Sequence, residues 1–419
     1  MSSAPAVTPE SAPSPAAGPR HPLTVPHFRN LWLGATISQL GDQFYLVALP
    51  WLALQLTGSS LALGAILMTA AIPRAALMLV GGAVIDRFSA RRVLMTTGAI
   101  RTVLVGTVAA LVWLRLIQLW ELYALTFAFG VADAFSFPAG PALMPTLVET
   151  NQLQPANALM QSSTVMTQMA GPAPAGLLIK SLGVAFALFF DALSFLGVIV
   201  ALLRIPDPPK VPPAAGAPAR PSMLHSIAEG LRAVRNDPPL LSLMIVIATI
   251  NICISGPIGV GLAAMAKFNF HSAAAFGTFL SCFSGGMLAG MLAGGMVKRP
   301  RRRGLQFIIM SGLCGLELIA IGLILKFAAI VALLVVMGLG VGFVNVQFAA
   351  WMQMRVERAL LGRVMSVMMF SAVGLVPISY AAAGMLANWS LPALFVIAGG
   401  ILAGTSALAV FGKAAREID

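Results

Sequence analysis

Long apolar stretches alternate with polar gaps along this chain, and every second gap is loaded with positive charge. Twenty of the 26 Lys and Arg residues fall in those gaps: Arg20 and Arg29; Arg87, Arg91 and Arg92; Arg204 through Arg235; Lys298 to Arg303; Arg355, Arg358 and Arg363; Lys413 and Arg416. The intervening gaps hold Arg115, Lys180, Lys267 and Lys326. Basic residues beside membrane spans are retained on the cytoplasmic side. The pattern therefore predicts a multi-pass protein of the bacterial inner (plasma) membrane with both termini cytoplasmic. Arg74 and Arg101 lie inside apolar segments and need a separate explanation.

Composition agrees. A 419-residue chain that is 58% hydrophobic and 10% charged, with mean hydropathy +0.91, lacks the polar surface of a soluble globule. The net charge of +12 is accounted for by loop bias and calls for no nucleic-acid partner. Cys253, Cys282 and Cys314 sit within apolar segments, show neither metal nor disulfide spacing, and read as small fillers. All six Trp residues fall near expected span ends, where the indole ring prefers the headgroup boundary.

A span needs about 20 apolar residues. That length places twelve helices at 30–56, 61–85, 92–114, 119–143, 156–179, 184–203, 239–263, 272–297, 304–326, 328–352, 363–386 and 391–411. Residues 1–28 are an Ala/Pro/Ser-rich cytosolic tail without a signal-peptide core, and 413–419 a second tail. Between the six-helix halves, 29–203 and 239–412, runs a cytosolic linker, 204–238. Its first part is Pro/Ala-rich and extended; in the second, Leu224, Ile227, Leu231 and Val234 mark a short amphipathic helix on the membrane face. The halves echo one another, with GGAV at 81–84 and GGMV at 294–297 each preceding a basic loop. Such repeats place a substrate site between them near the midplane.

GGAVIDRFSARRVL (81–94) resembles the loop signature between helices 2 and 3 of the major facilitator superfamily. GDQFYLVALPWL (41–52), FPAGPALMPTLV (137–148), PANALMQS (155–162), GPAPAGLL (171–178) and LGRVMSV (361–367) resemble its exporter branch of enterobactin exporters, macrolide-efflux permeases and transmembrane secretion effectors. The resemblance runs over residues 28–412 and implies an all-α membrane protein of twelve helices in two six-helix halves. It departs from the family at Ser89, where a Gly is usual and whose turn is expected to be less sharp. One Gly is missing from the helix 5 signature, and the fourth segment lacks the Arg of many proton-linked drug antiporters.

The resemblance implies a cytosolic latch formed by Gly82, Asp86, Arg87, Arg91 and Arg92 with Gly362 and Arg363, in which Asp86 faces the start of helix 11. A carboxylate there is favoured by unpaired backbone N–H groups, worth about 0.3–1 kcal/mol. The alternative is that Asp86 only solvates a turn between arginines. Gly171, Pro172 and Pro174 break the fifth helix, and Gly176 allows close approach. That helix is expected to pack on the eighth, against a stripe of Gly285, Gly286, Gly290 and Gly294.

Asp42 lies about 12 residues from the cytosolic start of the first helix and Arg74 about 12 from the cytosolic end of the second, each roughly 18 Å deep. Asp133 and Arg101 reach comparable depths. An isolated charge there costs about 2.5–3.5 kcal/mol, so pairing is expected: Asp42 with Arg74 first, Asp133 and Arg101 nearby. Orienting the bundle is one role for such pairs; alternating a carboxylate between Arg and a proton, as a charge relay, is the other. Glu317 reads as a packing-level protonated side chain. In the family, helices 1, 4, 7 and 10 line the cavity, which implies Gln39, Gln43 and Tyr45 on one side and Asn251, Ser255, Asn345 and Gln347 on the other. Sparse polar points in an apolar wall suit a bulky amphiphile.

The expected function is a secondary transporter, a monomer among membrane lipids, exporting drug- or siderophore-like amphiphilic small molecules by alternating access, driven by a proton gradient. No cofactor, metal or nucleic-acid partner is expected: a nucleotide-binding G-x-x-x-x-G-K-[ST] loop is absent. No catalytic residues are expected, because the four His residues fall outside the central membrane. An importer or lipid-type facilitator of the same fold, and a sensor without transport, are the alternatives.

Overall fold

The computed structural model describes residues 21–206, 231–232, 235, 237–297, 303–355, 368 and 371–411. Its principal helices are α1 (Pro26–Thr57), α2 (Ser60–Phe88), α3 (Ala90–Trp113), α4 (Leu119–Leu143), α5 (Leu153–Ala170), α6 (Pro172–Leu182), α7 (Val184–Leu203), α8 (Pro238–Gly256), α9 (Leu262–Phe268), α10 (Ala273–Met296), α11 (Arg303–Leu323), α12 (Phe327–Arg355), α13 (Val376–Trp389) and α14 (Leu391–Phe411). The architecture is the all-helical membrane bundle expected. Most expected boundaries fall within a few residues of the observed ones. The Pro/Ala linker beyond residue 206 and most of the amphipathic stretch lie outside the described residues.

Local chemistry sets the ends and breaks. Pro26 opens α1, where a missing N–H costs nothing. Gly58, at φ +62°, closes it by donating its N–H to the Leu54 carbonyl. Ser59 then caps α2, its hydroxyl accepting the Ala62 N–H at 3.3 Å. The fifth expected helix is interrupted at Gly171–Pro172, giving α5 and α6. The seventh is also broken, which was not foreseen: a π turn, Pro257–Gly261, separates α8 from α9, because Pro257 has no N–H to continue the ladder. At Ser89 the expectation of a softer turn fails. The residue takes φ +71° and its hydroxyl accepts the Arg92 N–H at 3.4 Å, so a non-glycine residue holds the sharp corner between α2 and α3.

Among the described residues, ten stretches are long and apolar enough to cross a membrane; α1 and the α5–α6 pair are not among them. Gln39, Asp42 and Gln43 dilute α1, while the Gly171–Pro172 break shortens the other.

Helices α1 to α7 pack on one another, as do α8 to α14, and the two groups meet chiefly where α2 touches α13 and α6 touches α10. Glycine makes both crossings close. A Cβ on Gly64 would lie 2.6 Å from the Tyr380 carbonyl oxygen, and one on Gly176 would lie 2.5 Å from that of Ala273. Ser59 also donates to Asn388 at 3.1 Å. These contacts belong to the ends of the helices away from both chain termini, so the bundle is closed on that face.

The expected contact of the fifth span with α10 is present, but of the expected stripe Gly285 alone takes part in it. Gly277, not the foreseen stripe, meets α6 at the Pro172 carbonyl. Gly286 and Gly290 instead lie against the Val335 and Leu339 carbonyls of α12, with Gly294 beside Phe343; Gly285 touches Met169 of α5. The six Trp residues lie near helix ends as expected. Trp113, Trp120 and Trp389 are exposed, whereas Trp51 and Trp351 turn inward and are buried. Trp51 carries Lys267 over its ring at 4.8 Å, and Trp351 carries Arg355 at 5.6 Å, so these indoles pack against cations.

Candidate functional site

Four charged side chains form a chain through the first group of helices. Arg74 Nε of α2 lies 3.2 Å from Asp133 Oδ2 of α4, Arg101 of α3 lies 2.5 Å from Asp133 Oδ1, and Arg101 reaches Asp42 of α1 at 3.9 Å. The site residues expected from depth are thus together, with one correction: Arg74 pairs with Asp133 rather than with Asp42. Gly130 is the physical reason. A Cβ there would lie 2.2 Å from the Ala70 carbonyl oxygen, so α2 and α4 run nearly backbone to backbone. One turn further, Arg74 and Asp133 face each other. Arg101 is held between two rings, 4.8 Å from Phe129 and 5.0 Å from Phe195.

A fifth charge-bearing group was missed. Asp191 of α7 is fully buried, and neither carboxylate oxygen accepts a hydrogen bond. The neighbouring Ser194 hydroxyl donates instead to the Asp191 backbone carbonyl at 2.7 Å. Asp191 faces Gly41: a Cβ on that glycine would lie 2.8 Å from Asp191 Oδ1. The available signal was a single acid within the apolar run 184–203.

The remaining expected cavity residues do not share one chamber. A cavity of about 370 Å³ between the two helix groups is lined by Tyr45, Arg74, Asp133, Ser255, Phe276 and Tyr380, among others. Asn251, Ser255 and Asn345 border a second space of about 210 Å³ among α8, α11 and α12. Gln39, Asp42, Arg101, Asp133 and Ser136 line a third, of about 250 Å³, among α1, α3, α4 and α7. Asp133 thus borders both the first and the third. Gln43 packs against Gly171, its amide donating to the Gln39 carbonyl at 3.4 Å. Gln347 is corrected: it is buried and donates to the Gly294 carbonyl at 2.6 Å, tying α12 to the end of α10 rather than facing a cavity.

Of the expected latch, Gly362, Arg363 and the side chain of Asp86 lie outside the described residues, as does the surrounding of Gly82. Arg87 stacks over Phe88 at 5.4 Å, and Arg92 lines an apolar surface groove between α3 and α4. Arg91 donates from Nε to the Leu202 carbonyl at 2.9 Å, which ties α3 to α7 within its own group. At the break, Ala173, whose N–H is freed by the new helix start at Pro172, donates it to the Ser281 hydroxyl of α10 at 3.0 Å.

A membrane-spanning helical bundle with paired charges at the wall of a cavity between its two groups of helices is built as a secondary transporter, not an enzyme. Residues 31–379 match the Major Facilitator Superfamily, and the chain belongs to that family. It is 28% identical over 396 residues to the multidrug efflux pump Tap of Mycobacterium tuberculosis, covering 90% of this chain and 91% of that one. It is 24% identical over 348 residues to macrolide efflux protein A of Streptococcus pyogenes, covering 81% and 84%. Among solved structures it resembles a bacterial homologue of the iron transporter ferroportin in an inward-facing state (17% identity, TM-score 0.71, 93% and 99% covered). The nucleoside transporter NupG is similar too (13% identity, TM-score 0.69, 92% and 100% covered). These two likenesses concern the fold.

Proposed function

We propose that the protein exports amphiphilic small molecules from the cytosol by alternating access, with proton uptake at the Asp133–Arg101–Asp42 chain as the driving step. The observation that carries this reading is the Arg74–Asp133 pair set in the wall of the cavity between the helix groups. Ionisable residues at membrane depth are costly and mark pathways for substrates or protons. The cavity wall supports an amphiphile: Phe276, Leu280 and Phe283 supply apolar area, and Tyr45, Ser255 and Tyr380 supply a few polar points. The drug-efflux relatives favour export. Closure on the face away from the termini fits a cavity served from the terminal side, which the positive loops place in the cytosol.

The test is transport in proteoliposomes of the reconstituted full chain, loaded with a macrolide or a lipophilic dye. Export predicts flux that rises with an imposed pH gradient and falls at least tenfold in Asp133→Asn. Flux that ignores the gradient removes the proton step. Accumulation in expressing cells instead of depletion assigns the importer alternative, and binding without flux assigns the sensor.

A further inference from the structure

The first group of helices holds more acid than base at membrane depth. Arg74 and Arg101 face three carboxylates: Asp42, Asp133 and Asp191. The ion pairs use both guanidinium groups on Asp133 and Asp42. Asp191 has neither a cation in contact nor a hydrogen bond to either oxygen, and it has no exposed surface. An ionised carboxylate in that condition forfeits several kcal/mol of hydration with nothing in return. One proton makes the five groups neutral as a set, and Asp191 is the member with no other means of compensation.

We propose that Asp191 is a proton-binding site: it carries a proton at rest and exchanges it with water in the polar cavity among α1, α3, α4 and α7. The groups that act on it are Asp42 and Tyr45 from α1 and Arg101 from α3, with its own Ser194; Lys180, in the last turn of the adjoining α6, is exposed. The O–H bond of the Asp191 carboxyl breaks, the proton passes to water, and the Arg101 guanidinium moves from Asp133 to neutralise the new carboxylate. Asp133 is then released to take a proton or a cationic group of the substrate from the other cavity, which it also borders.

Two features make water available. The cavity of about 250 Å³ is large enough for several molecules. Gln39, which lines it, has a side-chain oxygen that is buried without a partner, an acceptor that water would satisfy. A Cβ on Gly41, the residue before the cavity residue Asp42, would lie 2.8 Å from Asp191 Oδ1, so the Asp191 carboxyl packs directly on the α1 backbone beside a cavity residue.

The binding of the proton stands independently of transport; only its use as the driving ion rests on the exporter reading. The experiment is pH-difference infrared spectroscopy of the purified full chain in lipid. A protonated-carboxyl carbonyl component is expected at neutral pH in the wild type, retained in Asp42→Asn and in Glu317→Gln and lost in Asp191→Asn. Asp191→Glu keeps the band at a shifted frequency and covers the case in which the Asn variant fails to fold. A wild type with no such band, or a band that neither Asp191 variant alters, overturns the proposal. Proton-to-substrate stoichiometry in proteoliposomes then tests the coupling: a lower ratio in Asp191→Asn supports it, while an unchanged ratio with the band lost keeps the binding site and rejects the coupling.

Discussion

The two groups of helices are built on the same plan and filled differently. The first concentrates its membrane-depth charge in Arg74, Arg101, Asp42, Asp133 and Asp191. In the second, the described residues at comparable depth are mostly amides and hydroxyls, Asn251, Ser255, Ser311, Asn345, Ser379 and Ser406, with Glu317 the acid. Its breaks are repaired by hydroxyls: the Ser379 hydroxyl accepts the Gly256 N–H at 2.7 Å and donates to the Ile252 carbonyl at 2.5 Å, and Ser406 donates to Ser311 at 3.0 Å. Charge pairs are long-ranged and become expensive when separated; hydroxyls rotate and adapt at little cost. The comparison teaches that the first group carries its internal polarity as charge and the second as hydroxyls and amides.

The strongest way to break that contrast is Arg101→Ala. Two carboxylates lose their shared cation, and stability is expected to fall by about 3–5 kcal/mol, seen as a lower midpoint of thermal unfolding in detergent. Glu317→Gln, the removal of the acid in the second group, is expected to shift the midpoint little; an equal fall in both would erase the distinction.

A smaller effect is expected where the groups meet. A Cβ on Gly277 would lie 2.1 Å from the Pro172 carbonyl oxygen, so Gly277→Ala must push α10 off α6. Overpacking of this kind costs about 1–3 kcal/mol. Because the strain is released when that face opens, the variant is also expected to become more accessible to thiol reagents at cysteines placed along the closed face. Unchanged labelling would mean that the contact does not hold the face shut.

The smallest change sharpens the comparison at the corner between α2 and α3. Ser89→Gly removes a side chain from a backbone at φ +71°, relieving a strain of about 1 kcal/mol, against a few tenths lost from the cap. A midpoint a few degrees higher is expected; a lower one would show that the hydroxyl cap outweighs the strain.

Much of this organisation was legible in the residues, and the limits have a physical cause. Hydropathy reports where a chain enters and leaves the membrane, so the spans and the depth of Asp42, Arg74, Arg101 and Asp133 could be read off directly. Pro172 announces a break because it removes a donor. Depth, however, gives a height and not a direction around the helix axis. Asp42 and Arg74 sit level, yet the close α2–α4 crossing at Gly130 turns Arg74 toward Asp133. The same ambiguity let Gly286, Gly290 and Gly294 be assigned to the wrong neighbour, since a small-residue face does not name the helix that fills it. It also put Gln347 in a cavity when its amide ties two helices. Asp191 escaped notice because its significance lies in Gly41 opposite, a relation between helices far apart in the chain.

The weak hydrophobicity of α1 bears on how the protein is made. This span carries Gln39, Asp42 and Gln43, and the guanidinium that neutralises Asp42 belongs to α3, some sixty residues further on. Insertion of α1 into the bilayer on its own is therefore unfavourable, and its stable residence there is expected to depend on α3.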